Sequence, residues 1–307
     1  MPNTHPPLIH VGYHKTATTW MQRLLFMPVH GYRQIAGHDA VFTHLVQPHG
    51  LRFDPAPMQA LIAAQRRDMA PDEVPVISSE ILSGHPFQGG HESDIYAARI
   101  KAVAPDARIL ISIRSQLRIL PSVYMQYVLR GGTMPYDQFF KGTTELGYFG
   151  FTPEHFEFDL LVAHYQKLFG AQNVHVLTQE SLQADMQAAC GRLAGFAGNT
   201  RFAGLEPRAQ KVHAASYPEY AAPVLRRINH VQRSTLNPVP VIALGTTPKG
   251  LYKLAGFVLR QPVVARVLGG RKPVTAHVRQ RFAGHFTASN ARLAALCDAA
   301  LDLSRYD

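Results

Sequence analysis

The chain has 307 residues, 46% of them hydrophobic, enough apolar material for one large α/β core or two small ones. No apolar run reaches bilayer-spanning length, MPNTHPPL at the N-terminus lacks a basic-then-apolar signal pattern, and Cys190 and Cys297 lie too far apart in sequence to suggest a disulfide. The expectation is a cytoplasmic protein with two thiols serving as small hydrophobes. The net charge is +10, and it is unevenly spread. No Asp or Glu occurs from Tyr220 to Cys297, a span that holds twelve Lys and Arg. A field of that sign favours anionic partners. No nucleic-acid motif accompanies it, so nucleic acid is not among the expected partners.

Strands are expected at 8–12, 74–79, 107–113 and 173–178, each a short apolar run rich in Ile and Val, as when both faces are covered. Helices are expected at 18–27, 56–70, 92–104, 117–130, 154–169, 181–197, 216–232 and 275–302. The breakers between them are Pro71, Gly89-Gly90, Gly131-Gly132, Gly170 and Gly198-Asn199. Alternating strands and helices imply one α/β domain over 1–307, with a central, mainly parallel sheet flanked by helices on both faces. Ligands then bind beyond the C-terminal ends of the strands.

Four stretches lie at such ends. The first strand runs into Gly12, Lys15, Thr16, Ala17, Thr18 and Thr19, then into a helix from Thr18 carrying Trp20. Strand, polar turn and helix form a phosphate-holding unit: the free N–H groups of the helix start and the Lys15 ammonium face the same anion. This is not the ATP-binding Gly-x4-Gly-Lys-Ser/Thr loop, because Gly12 stands only three residues before Lys15. Ala17 disfavours positive φ, so a right-handed conformation is expected there. The second strand ends in Ser78-Ser79-Glu80, the third in Arg114 with Ser122 eight residues on, and the fourth in Glu180, expected to favour a helix start. Beyond them lie Arg208-Ala209-Gln210-Lys211, a basic loop, and 234–274, apolar, basic and rich in Pro and Gly. The second reads as an irregular insertion or lid before a C-terminal helix over 275–307, with 249–272 fit to touch a membrane surface.

Lys15-Thr16-Ala17-Thr18-Thr19-Trp20 resembles the Lys-Ser/Thr-Gly-Thr-Thr-Trp loop of sulfotransferases that use 3′-phosphoadenosine 5′-phosphosulfate (PAPS), in particular bacterial, carbohydrate-type members. Arg114 and Ser122 resemble that family's pair for the 3′-phosphate. Ser115-Gln116 stands where the family usually has Asn-Pro or Asp-Pro. The resemblance implies a P-loop-NTPase-like fold, PAPS as co-substrate, PAP as product and no metal. It implies that Lys15, Thr16, Ala17, Thr18, Thr19 and Trp20 hold the 5′-phosphosulfate end, that Lys15 stabilises the leaving phosphate, and that Lys211 or Arg208 closes over the nucleotide. Carbohydrate members use a glutamate base, which here is Glu80; other branches use histidine, which leaves His85 and then His14 as rivals. The expected acceptor is a carbohydrate or glycolipid hydroxyl, small or glycan and suited to an anionic group, with 28–55, 83–92, 130–153 and 234–274 as acceptor loops. A protein tyrosine is the alternative acceptor. The other rivals are a non-catalytic nucleotide binder and a kinase. The kinase would need Mg²⁺ held by a Walker Ser/Thr and an acid after a strand, where this chain has Arg114.

Overall fold

The computed structural model describes residues 3–142, 145–211, 217–297 and 301–306. Five parallel strands form one sheet: β1 Leu8–His10, β2 Tyr32–Ala36, β3 Val74–Ser78, β4 Arg108–Ile113 and β5 Val174–Thr178, in the order β2-β3-β1-β4-β5. Leu8 pairs with Val76 on one side and Arg108 on the other, and His10 with Ser78 and Leu110. The chain builds one half of the sheet through β3 and then crosses over β1 to start β4. The C-terminal edges of β1, β3 and β4 therefore meet at the switch point of the sheet, where open α/β sheets bind their ligands.

The strand residues alternate between two cores, which shows both faces covered. Leu8, Val74, Val76, Leu110 and Leu177 pack with Trp20, Met21, Leu25 and the helix Met186–Ala197. Ile9, Val11, Ile77, Ile109, Ile111 and Val176 pack with the helices Ser93–Val103, Gln116–Leu129 and Phe158–Phe169. This is the layered arrangement that the alternating pattern predicted.

The sequence reading missed β2, whose YRQIA sits inside the stretch given to an acceptor loop. It is an edge strand with Arg33 and Gln34 half-exposed and a register shift at Gln34, so it lacks the continuous apolar run of its neighbours. The helix expected over 181–197 is two, Gln179–Ala184 and Met186–Ala197, because Asp185 leaves the helix and its carboxylate caps the second by accepting from the Ala188 N–H at 2.9 Å. The C-terminal helix expected over 275–302 is likewise two, Pro273–Phe282 and Thr287–Leu296, separated at Gly284, which has φ +68°; positions 298–300 lie outside the described residues. The helix expected over 216–232 is Ala222–Asn229, and position 216 lies outside the described residues. The 234–274 stretch is not wholly irregular: it contains the helices Gly250–Leu259 and Pro262–Leu268.

Candidate functional site

Beneath the lysine loop runs a buried line of hydrogen bonds that ties β1, β3 and β4 together. His10, fully buried on β1, reaches Ser78 Oγ with Nδ1 and Ser112 Oγ with Nε2, both at 2.8 Å. Thr16 Oγ1 lies 2.7 Å from Ser112 Oγ and donates to the Tyr13 carbonyl at 2.6 Å. The donor inventory fixes the direction of every bond. Thr16 spends its only proton on Tyr13, so Ser112 must donate to Thr16. His10 Nε2 then carries the proton given to Ser112. Nδ1 is left as an acceptor for Ser78, whose oxygen accepts from Gln22 Nε2 at 3.2 Å. The ring must be neutral for this, and burial holds its pKa down to about 3. Gly12 is required by the same network, since a Cβ there would stand 2.3 Å from Ser112 Oγ and 2.5 Å from His10 Nε2. Neither His10 nor Ser112 was singled out from the sequence, and Ser78 was noted only within Ser78-Ser79-Glu80; the available signal was a histidine inside an apolar strand.

Above this base the loop turns twice through the left-handed region, at Lys15 (φ 70°) and Ala17 (φ 68°, ψ 20°). The expectation of a right-handed Ala17 is therefore corrected. Thr16 is bonded downward to Tyr13 and Ser112, and the chain can reach the helix start at Thr18 only by reversing hand on either side of it. A non-glycine residue in this region costs about 1 kcal/mol. The helix begins at Thr18, continues through Trp20 and widens into a π turn over Met21–Leu25. Thr18 Oγ1 is buried with no hydrogen-bond partner among the described residues, at the end where the helix presents its free N–H groups. An orphaned hydroxyl beside free amides and a lysine suits an incoming phosphate-type anion. Thr19 is exposed, and Trp20 is buried, donating from Nε1 to the Ala209 carbonyl at 2.8 Å.

Solvent reaches Lys15, yet the crowding around it lowers its pKa, chiefly by burial and then through the positive charges of Arg130 and Arg114, while Glu80 opposes the shift. Glu80, Arg114 and Lys15 thus share one electrostatic neighbourhood, although their motifs are far apart in sequence. Arg130, at the end of the helix Gln116–Leu129, was not foreseen; it is exposed and makes no ion pair with a described residue. Glu80 opens the turn Glu80–Ser83 and is half-buried. Its two histidine rivals sit together, His14 and His85 having ring centroids 6.4 Å apart. Burial drives the His14 pKa well down, with further lowering from His85, His155, Lys15 and Arg130. Burial also lowers His85, helped by Arg130 and opposed by Glu92. A base whose protonated form is so disfavoured is a weak one.

Arg114 and Ser122 face one pocket of about 650 Å³, and Arg114 Nη1 donates to Ser122 Oγ at 3.3 Å. The wall opposite is built by the acid-free segment, through Lys272, Thr275 and Arg279, with Tyr217 and Arg118 beside them. Four cations, Arg114, Arg118, Lys272 and Arg279, line the cavity against one carboxylate, Glu219, which accepts from the Thr275 N–H (2.9 Å) and hydroxyl (2.6 Å). That excess of positive charge suits an anion with several oxygens. Lys272 and Arg279 escaped the sequence reading as individual ligands. The charge asymmetry signalled the segment, but only the fold brings it across from Arg114. Glu180 does more than start a helix. Buried, it accepts from the Ser115 N–H (3.3 Å) and the Tyr306 hydroxyl (2.9 Å), and its charge supports Arg114 against the cost of burial. That braces the turn where Ser115-Gln116 departs from the more usual sequence. Of the basic loop, Arg208 is paired with Glu206 at 2.7 Å, and Lys211 is exposed and does not line the Arg114 pocket.

No family model matches this sequence, and no curated protein matches it. Solved structures do. A crystal structure of a sulfotransferase from Alicyclobacillus acidocaldarius superposes with a TM-score of 0.52 over 98% of each chain, at 15% identity. The fold is that of a sulfotransferase. A mouse sulfotransferase, SULT7A1, solved complexed with PAP, aligns over 94% of this chain and 90% of that chain with a TM-score of 0.37 and 11% identity. The sulfotransferase fold is P-loop-NTPase-like, as the strand order here displays.

Proposed function

We propose that this protein transfers a sulfuryl group from PAPS to an acceptor hydroxyl, with a carbohydrate or glycolipid favoured. The observation that carries the reading is the meeting, along one edge of the sheet, of a lysine loop with an orphaned Thr18 hydroxyl and a separate Arg114–Ser122 pocket of about 650 Å³. Two anion sites of this kind suit a nucleotide with a phosphate at each end of its ribose. PAPS supplies the activated sulfate, in a mixed anhydride with the 5′-phosphate. Thr18 and the helix N–H groups bind that phosphate, and the Lys15 ammonium stabilises negative charge as it grows on the bridging oxygen. Arg114, Ser122, Lys272 and Arg279 hold the 3′-phosphate. Glu80 takes the proton from the acceptor hydroxyl as its oxygen bonds to sulfur and the sulfur–phosphate bridge breaks, releasing PAP. Arg130, unpaired and near Lys15, favours an acceptor with an anionic group of its own.

The test is a screen of acceptors with sulfur-labelled PAPS. Label should move to a hydroxyl acceptor with one PAP released per transfer, and Lys15→Ala should lower turnover far more than PAP affinity, because its partner is charge that appears in the transition state. Tight PAP binding with no transfer to any hydroxyl, amine or tyrosine acceptor would make this a nucleotide-binding protein without turnover.

A further inference from the structure

Over half of the large apolar side chains that face solvent among the described residues fall between Leu236 and Val267. Val241 is fully exposed, and every residue from Val241 to Thr246 faces water. In the helix Gly250–Leu259 only Lys253 is charged: Tyr252 and Gly256 are buried, while Leu254 (60%) and Phe257 (64%) stand in solvent. The next helix, Pro262–Leu268, buries no residue and presents Val263 (75%) and Val267 (71%) one turn apart. Large apolar side chains clustered on the solvent side of two successive helices mark an interaction surface.

The charged residues of this segment are all of one sign. Lys249, Lys253, Arg266 and Arg271 are exposed and make no ion pair with a described residue, and no acid lies from Tyr220 to Cys297. Arg260 lies over the Tyr217 ring, 4.2 Å from its centroid. Apolar side chains among unpaired cations are the composition of a segment that lies in the interface of an anionic bilayer. A second copy of this chain is a poor occupant, because a two-fold interface sets like patches face to face and would bring these cations together. We propose that residues 236–271 are a docking surface for an anionic phospholipid leaflet, the apolar side chains entering the interface and the cations resting on the headgroups. No described helix is long and apolar enough to cross a membrane, so the contact is peripheral. The surface runs directly into the wall of the Arg114 pocket through Gly270 and Lys272, so docking sets the mouth of that pocket at the lipid surface. This contact does not depend on the transfer chemistry.

Co-sedimentation with vesicles of phosphatidylcholine alone, or mixed with phosphatidylglycerol, tests it. The full chain should partition to the mixed vesicles only, more weakly at physiological than at low salt. The triple variant Ile242→Ser, Phe257→Ser, Val263→Ser should lose at least about tenfold in partitioning. Lys253→Gln and Arg266→Gln should each lose about fivefold. All these positions are exposed, so urea unfolding midpoints should match wild type. No binding to mixed vesicles at low salt overturns the proposal, as does full binding by a correctly folded triple variant. A vesicle-free, concentration-dependent dimer that the triple variant disperses would assign the surface to a copy of the chain instead.

Discussion

His10 should make the stability of this protein fall as the pH drops from about 6.5 toward 3. In the native state burial holds its pKa at about 3, whereas an unfolded histidine titrates near 6.5. Between those values the unfolded chain binds a proton that the native ring refuses, because Nδ1 is occupied as an acceptor for Ser78. The unfolded state carries more protons, so stability rises with pH across this window and is lost as pH falls through it. From about pH 7.5 to about 4.5 the loss from this one ring is about 2.7 kcal/mol. His155, also held at about 3 by burial, adds a change of the same sign, so the His10 share has to be isolated by substitution. His10→Gln keeps a polar side chain but does not titrate here. The variant should be less stable at neutral pH, with Ser78 and Ser112 imperfectly paired. Its deficit relative to wild type should then shrink by about 2.7 kcal/mol on acidification. Urea titrations of both proteins at stepped pH and constant salt measure this. If the two curves lose stability in parallel from pH 7.5 to 4.5, His10 is not a neutral histidine locked into the β1–β3–β4 network.

Four other outcomes follow from the site. Gly12→Ala should cost about 1–3 kcal/mol in urea unfolding, since its Cβ would stand 2.3 Å from Ser112 Oγ and force the network apart, whereas Ala17→Gly should stabilise by up to about 1 kcal/mol by relieving a left-handed alanine. Glu80→Gln should slow sulfuryl transfer by about 10²–10⁴-fold with PAP affinity unchanged; near-normal turnover in that variant together with a slow His85→Ala would move the base to histidine. Lys272→Ala and Arg279→Ala should each weaken PAP by about tenfold or more while leaving AMP binding nearly unaltered, read by calorimetry.

The layered fold was legible because four of the five strands are short runs dominated by Ile, Val and Leu, as when a strand is covered on both faces. β2 escaped because an edge strand needs just one well-packed side, and Arg33 and Gln34 look like loop residues in sequence. The lysine loop was legible in composition but not in hand. Alanine argues for right-handed backbone, and only the bonds from Thr16 to Tyr13 and Ser112 show why that preference loses. Arg114 and Ser122 were paired through the family resemblance, Arg114 standing between β4 and the helix that carries Ser122. Lys272 and Arg279 could not be paired with them, because more than 150 residues separate them from Arg114 and the crossing is made by the fold. Arg130 was hidden by its place at the end of a helix, where a cation ordinarily serves the helix dipole.

The central claim is that the Arg114 pocket reads a 3′-phosphate. Titration calorimetry of PAP and of AMP, which differ only in that group, tests it directly. PAP should bind at least about tenfold more tightly, the scale of one charge-assisted phosphate contact, and Arg114→Ala should remove most of the preference. Equal affinities for the two nucleotides in the wild-type protein would contradict the assignment.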